Sequence, residues 1–226
     1  MRTIVFGATG MVGQGVLDAC LRDDGVTDVL VVGRTPTGRT HPKLHEIHHG
    51  DFTDLTAIQE QLAGYDACFY CLGVSAAGRS EADYRTVSHD YPLAAARALL
   101  TASPDLAFCY VSGAGTDPTG RSRMMWARVK GETENALLEL SPRAYMFRPA
   151  LITPLPGTTS KTPWYTLLYR ILAPLNPLLR RLAPRHVTSS TQLGQAMIRT
   201  AQDGPPGRVL ATGDINEAAA ARPQSP

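Results

Sequence analysis

The strand-forming run Thr3-Ile4-Val5-Phe6 passes without a linker into Gly7-Ala8-Thr9-Gly10-Met11-Val12-Gly13, and a helical pattern begins inside that glycine stretch. Glycine is needed where a backbone turns tightly, where it must approach a pyrophosphate, and where a helix packs closely on a strand. The N–H groups that open the helix then face an anionic ligand. A glycine spacing alone is a weak signal, but its position between a first strand and a first helix is the context that a phosphate-binding turn requires. Gly7, Thr9, Gly10, Met11, Val12 and Gly13 are therefore candidate dinucleotide-binding residues.

The rest of the chain continues the alternation. Strand-like runs cover Thr3 to Phe6, Asp28 to Val32, Lys43 to His48, Ala67 to Cys71, Ala107 to Val111, Ala144 to Phe147 and Arg208 to Ala211. Helical patterns cover Met11 to Leu21, Asp54 to Leu62, Glu81 to Ala102, Arg121 to Leu140 and Thr191 to Ala201. Strands alternating with helices imply parallel pairing through right-handed crossovers, hence an α/β fold built on a doubly wound parallel sheet of the Rossmann kind. A single domain is expected over residues 1–215, with a small helical elaboration at 154–185 and a flexible tail at 216–226.

With 22 basic and 20 acidic side chains, no overall field points to nucleic acid, and the expected partner is a small molecule. The chain opens on a strand rather than on a basic flank and a long apolar run, so the expected setting is cytoplasmic. Cys68 and Cys71 form a CxxC, but on a buried strand residues three apart point to opposite faces, which excludes a redox pair or a shared metal. His41, His45, His48 and His49 are crowded together, yet only His45 and His49 share a strand face and no recognisable ligand spacing is completed. No metal site is expected.

"VFGATGMVGQGVL", with its GxxGxxG spacing, is followed in order by "YVSGAG", "ARVKGETENAL" and "FRPALI". Together they resemble the atypical and extended short-chain dehydrogenase/reductase superfamily, whose members include NAD(P)-binding, epimerase/dehydratase-like proteins. Within it the chain looks most like the Tat-interacting-protein branch. The resemblance spans roughly residues 1 to 212, and the glycine loop is its most specific part.

The second strand ends in Val32-Gly33-Arg34-Thr35, where an NAD-binding protein usually places an acid against the ribose hydroxyls. Arg34 instead offers a planar fork of donors suited to a 2′-phosphate, which favours NADP over NAD. After the third strand, the resemblance implies that Asp51 bonds the adenine amino group and that the Phe52 backbone borders the ring. A cap on the following helix, by Asp51 or Asp54, is an equally physical reading. The fourth strand ends in Cys71-Leu72-Gly73, where the resemblance brings the Leu72 and Gly73 backbone close to the cofactor ribose. It also places Pro149 beside the nicotinamide carboxamide, although a proline there equally explains a rigid turn.

The same resemblance assigns Ser112 to the substrate carbonyl and Lys130 to the nicotinamide ribose. Residues i and i+4 share a helix face, so the position partnered with Lys130 is 126, where the superfamily carries tyrosine and this chain carries Trp126. No tyrosine lies between Tyr110 and Tyr145, so no shift of frame restores one. Indole donates a hydrogen bond but has no proton to give up near neutral pH. Two readings follow. One is an NADPH-dependent reductase whose proton comes from Ser112, Tyr84, Thr116 or water; the other is a regulatory protein that binds the dinucleotide without turning it over.

"PWYTLLYRILAPLNPLLRRLAPRH" interleaves leucines with arginines and prolines, which argues against a transmembrane span and for broken amphipathic helices. Over 163–185 these either roof an apolar substrate pocket or lie on a membrane surface. Nothing in the sequence sets an oligomeric state.

Overall fold

The computed structural model describes residues 1–155, 185–205 and 207–220. Its strands are β1 (Arg2–Phe6), β2 (Asp28–Gly33), β3 (Leu44–His48), β4 (Ala67–Tyr70), β5 (Ala107–Val111), β6 (Ala144–Arg148), β7 (Leu151–Thr153), β8 (Val187–Ser189) and β9 (Val209–Ala211). Its α-helices are α1 (Met11–Arg22), α2 (Glu81–Arg85), α3 (Tyr91–Ala102), α4 (Met125–Leu140), α5 (Ser190–Asp203) and α6 (Thr212–Ala220). Seven strands form one parallel sheet in the order β3-β2-β1-β4-β5-β6-β9. This is the doubly wound order, and the direction of winding reverses between β1 and β4.

Alternation along each strand sends neighbouring side chains to opposite faces. Val5, Phe69, Cys109 and Phe147 pack with α1 and α5, and Ile4, Phe6, Tyr70, Phe108, Tyr110 and Met146 pack with α3 and α4. The two layers separate Cys68 from Cys71 as a strand requires, and burial pushes both thiols well above their ordinary pKa. All four cysteines are free.

Three elements depart from the sequence reading. The helical run expected over Glu81 to Ala102 is present end to end but carries a π turn at Thr86–Asp90. The cause is Pro92, which has no N–H and crowds the carbonyl four residues back, that of Ser88. Freed from the helical ladder, Ser88 O accepts hydrogen bonds from Tyr110 Oη (3.2 Å) and Thr133 Oγ1 (2.9 Å), which join the turn to β5 and α4. The segment over 54–62 is a 3-10 helix, Thr56–Leu62. The helix expected from Arg121 begins at Met125, because Ser122 N donates to Asp117 Oδ2 (2.6 Å) and Met124 N to Ser122 Oγ (3.1 Å) in the preceding turn.

The strands β7 and β8 pair in parallel in a separate sheet and were not expected. At the C-terminus, residues expected in a flexible tail from Asn216 belong instead to α6. Ile215 is fully buried there and Asn216 Nδ2 donates to Val187 O (2.9 Å). Residues 221–226 lie outside the described residues, as do residues 156–184 and with them most of the segment read as a pocket roof or membrane surface.

Candidate functional site

Gly7, Arg34, Asp51, Leu72, Gly73, Ser112 and Pro149 follow strands of the main sheet at its C-terminal edge, whereas Met11, Val12 and Gly13 open α1 and Trp126 and Lys130 are carried by α4. Gly7, at φ +79, ends β1 in a left-handed conformation, and a Cβ there would lie 2.6 Å from Leu72 N and 2.7 Å from Leu72 Cα. The loop after β4 therefore closes directly on the glycine turn. At Gly13 a Cβ would lie 2.1 Å from Gly7 O, and at Gly10 it would lie 3.3 Å from the same atom. Side chains at Gly7 and Gly13 would collide with neighbouring backbone, so these glycines let the cradle of the turn close tightly on itself. Gly10 caps α1 without a side-chain hydrogen bond, which leaves the first-turn N–H groups of Met11, Val12 and Gly13 without a side-chain acceptor. A phosphate fits that arrangement of small residues and uncapped donors. Thr9 contributes its backbone, whose O accepts from Gln14 Nε2 (3.0 Å).

Arg34 is exposed at the end of β2, and its guanidinium forms no hydrogen bond or ion pair with the described residues. Asp51 is also exposed. Its carboxylate accepts from Thr53 N (2.9 Å) and Thr53 Oγ1, and these bonds hold its pKa below the usual range. The carboxylate thus stabilises its own turn, as Asp54 does through Thr56 N (2.8 Å). The Phe52 ring is buried in the core against Phe6 and Tyr91, so only its backbone is left for a ligand. Gly73 is exposed, with no atom within 4 Å of an added Cβ.

On the other side of the winding reversal, Ser112 ends β5. Ser112 Oγ lies 2.8 Å from Thr116 Oγ1, which itself donates to Gly113 O (2.8 Å). With the threonine proton committed, Ser112 is the donor of the pair. From α4, Lys130 Nζ donates to Ser112 O (2.8 Å) and sits 5.8 Å from the Tyr110 ring centroid. Burial lowers the Lys130 pKa to about 8, against an opposing pull from Glu134 one turn along α4. Trp126, in the first turn of α4, lies against the loop after β5: a Cβ on Gly115 would stand 3.3 Å from its ring atom Cη2. The indole N–H pairs with no described residue. Pro149 O accepts from Ala114 N (3.0 Å), so this residue ties the end of β6 to the loop that carries Ser112.

Two features of the site escaped the sequence reading. Arg148 grips the buried Glu134 with two nitrogens, at 3.0 and 3.1 Å from Nε, which fixes α4 to β6 beside Lys130. No sequence spacing signals this pair, because the two residues lie on different elements 14 positions apart. His48 Nε2 contacts Arg34 O at 2.6 Å and His49 Nε2 contacts the carbonyls of Asp51 and Asp54, so the crowded histidines hold separate backbone segments. Among the described residues no helix is long and apolar enough to cross a membrane.

This architecture is shared by solved enzymes. The chain superimposes with a TM-score of 0.71 on an oxidoreductase of the short-chain dehydrogenase/reductase family from Burkholderia thailandensis, at 16% identity over 96% of this chain and 92% of that one. It matches the Bordetella bronchiseptica enzyme WbmF, solved in complex with NAD+, with a TM-score of 0.65 at 16% identity over 96% of this chain and 76% of that one. By sequence it is 27% identical to protein fmp52-2 of Aspergillus oryzae, over 90% of this chain and 88% of the relative. That protein and its counterparts from Aspergillus terreus and Neosartorya fischeri are named mitochondrial, which overturns the expectation of a cytoplasmic setting. The sequence model of the NAD dependent epimerase/dehydratase family matches residues 3–121, just over half of the 226 residues, and the chain belongs to that family.

Proposed function

We propose that the protein is an NADP(H)-dependent reductase of an apolar carbonyl compound, working without the phenol that its superfamily places four residues before the site lysine. The observation that carries this reading is Lys130 Nζ, held at 2.8 Å by Ser112 O on the same sheet edge as the glycine cradle. The NAD+ complex of WbmF supports a nicotinamide dinucleotide in that cradle. Arg34, with no acid beside it after β2, supports the 2′-phosphorylated form. The apolar character of the substrate rests on the leucine-rich sequence of 163–185, which lies outside the described residues.

Bound NADPH would supply a hydride to the carbonyl carbon. Met11, Val12 and Gly13 N–H groups would receive the pyrophosphate, and Lys130 would hold the nicotinamide ribose. Ser112 turns its hydroxyl from Thr116 to the substrate oxygen, and Lys130 adds a nearby positive charge as that oxygen becomes anionic. The proton passes through Ser112 and is replaced from water by way of Thr116.

A second reading, binding without turnover, is favoured by Trp126 alone, since indole occupies the donor's place and gives up no proton near neutral pH. The two are separated by analysing purified protein for bound nucleotide and then following NADPH oxidation with a panel of apolar aldehydes, ketones and quinones. Oxidation dependent on one of these substrates supports the reductase. Nucleotide retained and none consumed supports the second reading.

A further inference from the structure

Building on the NADP reading above, we infer that His48 is a specificity-determining positioning residue: it anchors the loop after β2 so that Arg34 is presented to the cofactor's 2′-phosphate. Residues 34–40 form an exposed or half-exposed polar connection, of a kind that is ordinarily mobile. Here it is fastened at three points. His48 Nε2 meets Arg34 O at 2.6 Å. Thr37 N donates to Glu46 Oε2 at 3.0 Å, and Thr37 Oγ1 donates to the other carboxylate oxygen. Arg39 Nη2 reaches Asp18 Oδ1 of α1 at 2.9 Å, where the Asp18 side chain is 4% exposed.

These anchors follow from strand geometry. Leu44, Glu46 and His48 alternate onto one face of β3, and Leu44 packs with the α1 layer, so the loop folds back on the α1 side. A carbonyl oxygen only accepts, so His48 carries a proton on Nε2 and donates it. That bond fixes the peptide following Arg34 and with it the direction in which the Arg34 side chain leaves the backbone. The loop's two arginines are thereby divided. Arg39 is committed to Asp18, while the Arg34 guanidinium has no partner among the described residues. A fixed loop with one uncommitted cation binds a phosphate with less loss of conformational freedom than a mobile loop.

The test is calorimetric titration of the full chain with NADPH and NADH. His48→Ala is expected to weaken NADPH by about three- to tenfold and NADH by under about twofold, the scale of one net hydrogen bond felt only through the 2′-phosphate. His48→Gln, whose amide N–H can reach Arg34 O, should restore most of the NADPH affinity. In an Arg34→Ala background, His48→Ala should change nothing further. Equal losses for both cofactors, no rescue by glutamine, or an undiminished effect in the Arg34→Ala background would each overturn the inference. Wild-type protein with no preference for NADPH would remove the NADP reading itself. A preference abolished by Arg34→Ala but untouched by His48→Ala would remove only the role of His48.

Discussion

At Lys130, burial opposes charge, and the pKa falls to about 8 from an ordinary value of 10.5 while Glu134 pulls the other way. The sign of the consequence is fixed. Between about pH 8 and 10.5 the unfolded chain holds the proton more readily than the folded one, so this group makes the free protein more stable as pH rises through that window. Binding is expected to run in the opposite direction, because the proposed ribose contact uses the ammonium. NADPH affinity should be level below pH 8 and then decline, by at most about tenfold per pH unit, and titrations of Lys130→Met across the same range should show no such decline. At Trp126, restoring a phenol beside that ammonium by Trp126→Tyr should raise carbonyl reduction in the NADPH oxidation assay, and Trp126→Phe should leave NADPH affinity within about twofold. If Trp126→Phe abolished wild-type turnover with affinity intact, the indole would be the donor and the route through Ser112 would be wrong. The Trp126 and Lys130 pair was legible because four residues make one helical turn. Arg148 was not, because its partner Glu134 lies on another element and only the fold brings them together.

Among the elements, the β1 turn and α1 carry the tightest sequence requirement. In Gly13→Ala the new Cβ would stand 2.1 Å from Gly7 O and 2.9 Å from Ala8 Cα, both backbone atoms, so the cradle itself must open. That change should lower stability by about 1 to 3 kcal/mol and weaken cofactor binding at least about tenfold, read by thermal unfolding and calorimetry. Gly33→Ala is the control, since its Cβ would approach nothing nearer than Thr35 O at 3.7 Å. All seven sheet strands were legible to within a residue or so: the five inner ones, β1, β2, β4, β5 and β6, are buried on both faces and read as apolar runs, while the edge strands β3 and β9 are largely exposed and were placed by the alternation of strands with helices. The π turn at Thr86–Asp90 was obscured by good helical periodicity on either side, although Pro92 marked the carbonyl that would be displaced. The three-residue strands β7 and β8 were too short to show any period, and their pairing joins Leu151 to Val187 across the chain.

Over the whole molecule, alternating strands and helices dictate a doubly wound sheet, and the sheet carries the glycine cradle, Arg34, Asp51, Gly73, Ser112 and Pro149 to one edge. Much of the candidate site was therefore readable as positions after strand ends, before any contact was known. What each side chain does there was less readable. The Asp51 carboxylate serves its own turn and the Phe52 ring serves the core, outcomes set by neighbours that a linear pattern does not reveal. Cellular setting was not readable either, since the absence of a basic, apolar leader pattern says nothing of the compartment named for the fungal relatives. The proposal that this edge binds NADP(H), with Arg34 reading the 2′-phosphate, stands or falls by calorimetric titration of wild type and Arg34→Ala with NADPH and NADH. NADPH should bind more tightly than NADH to the wild type, and Arg34→Ala should cost about 1.5 to 3 kcal/mol for NADPH and little for NADH. Equal losses for the two cofactors, or tighter wild-type binding of NADH, would contradict it.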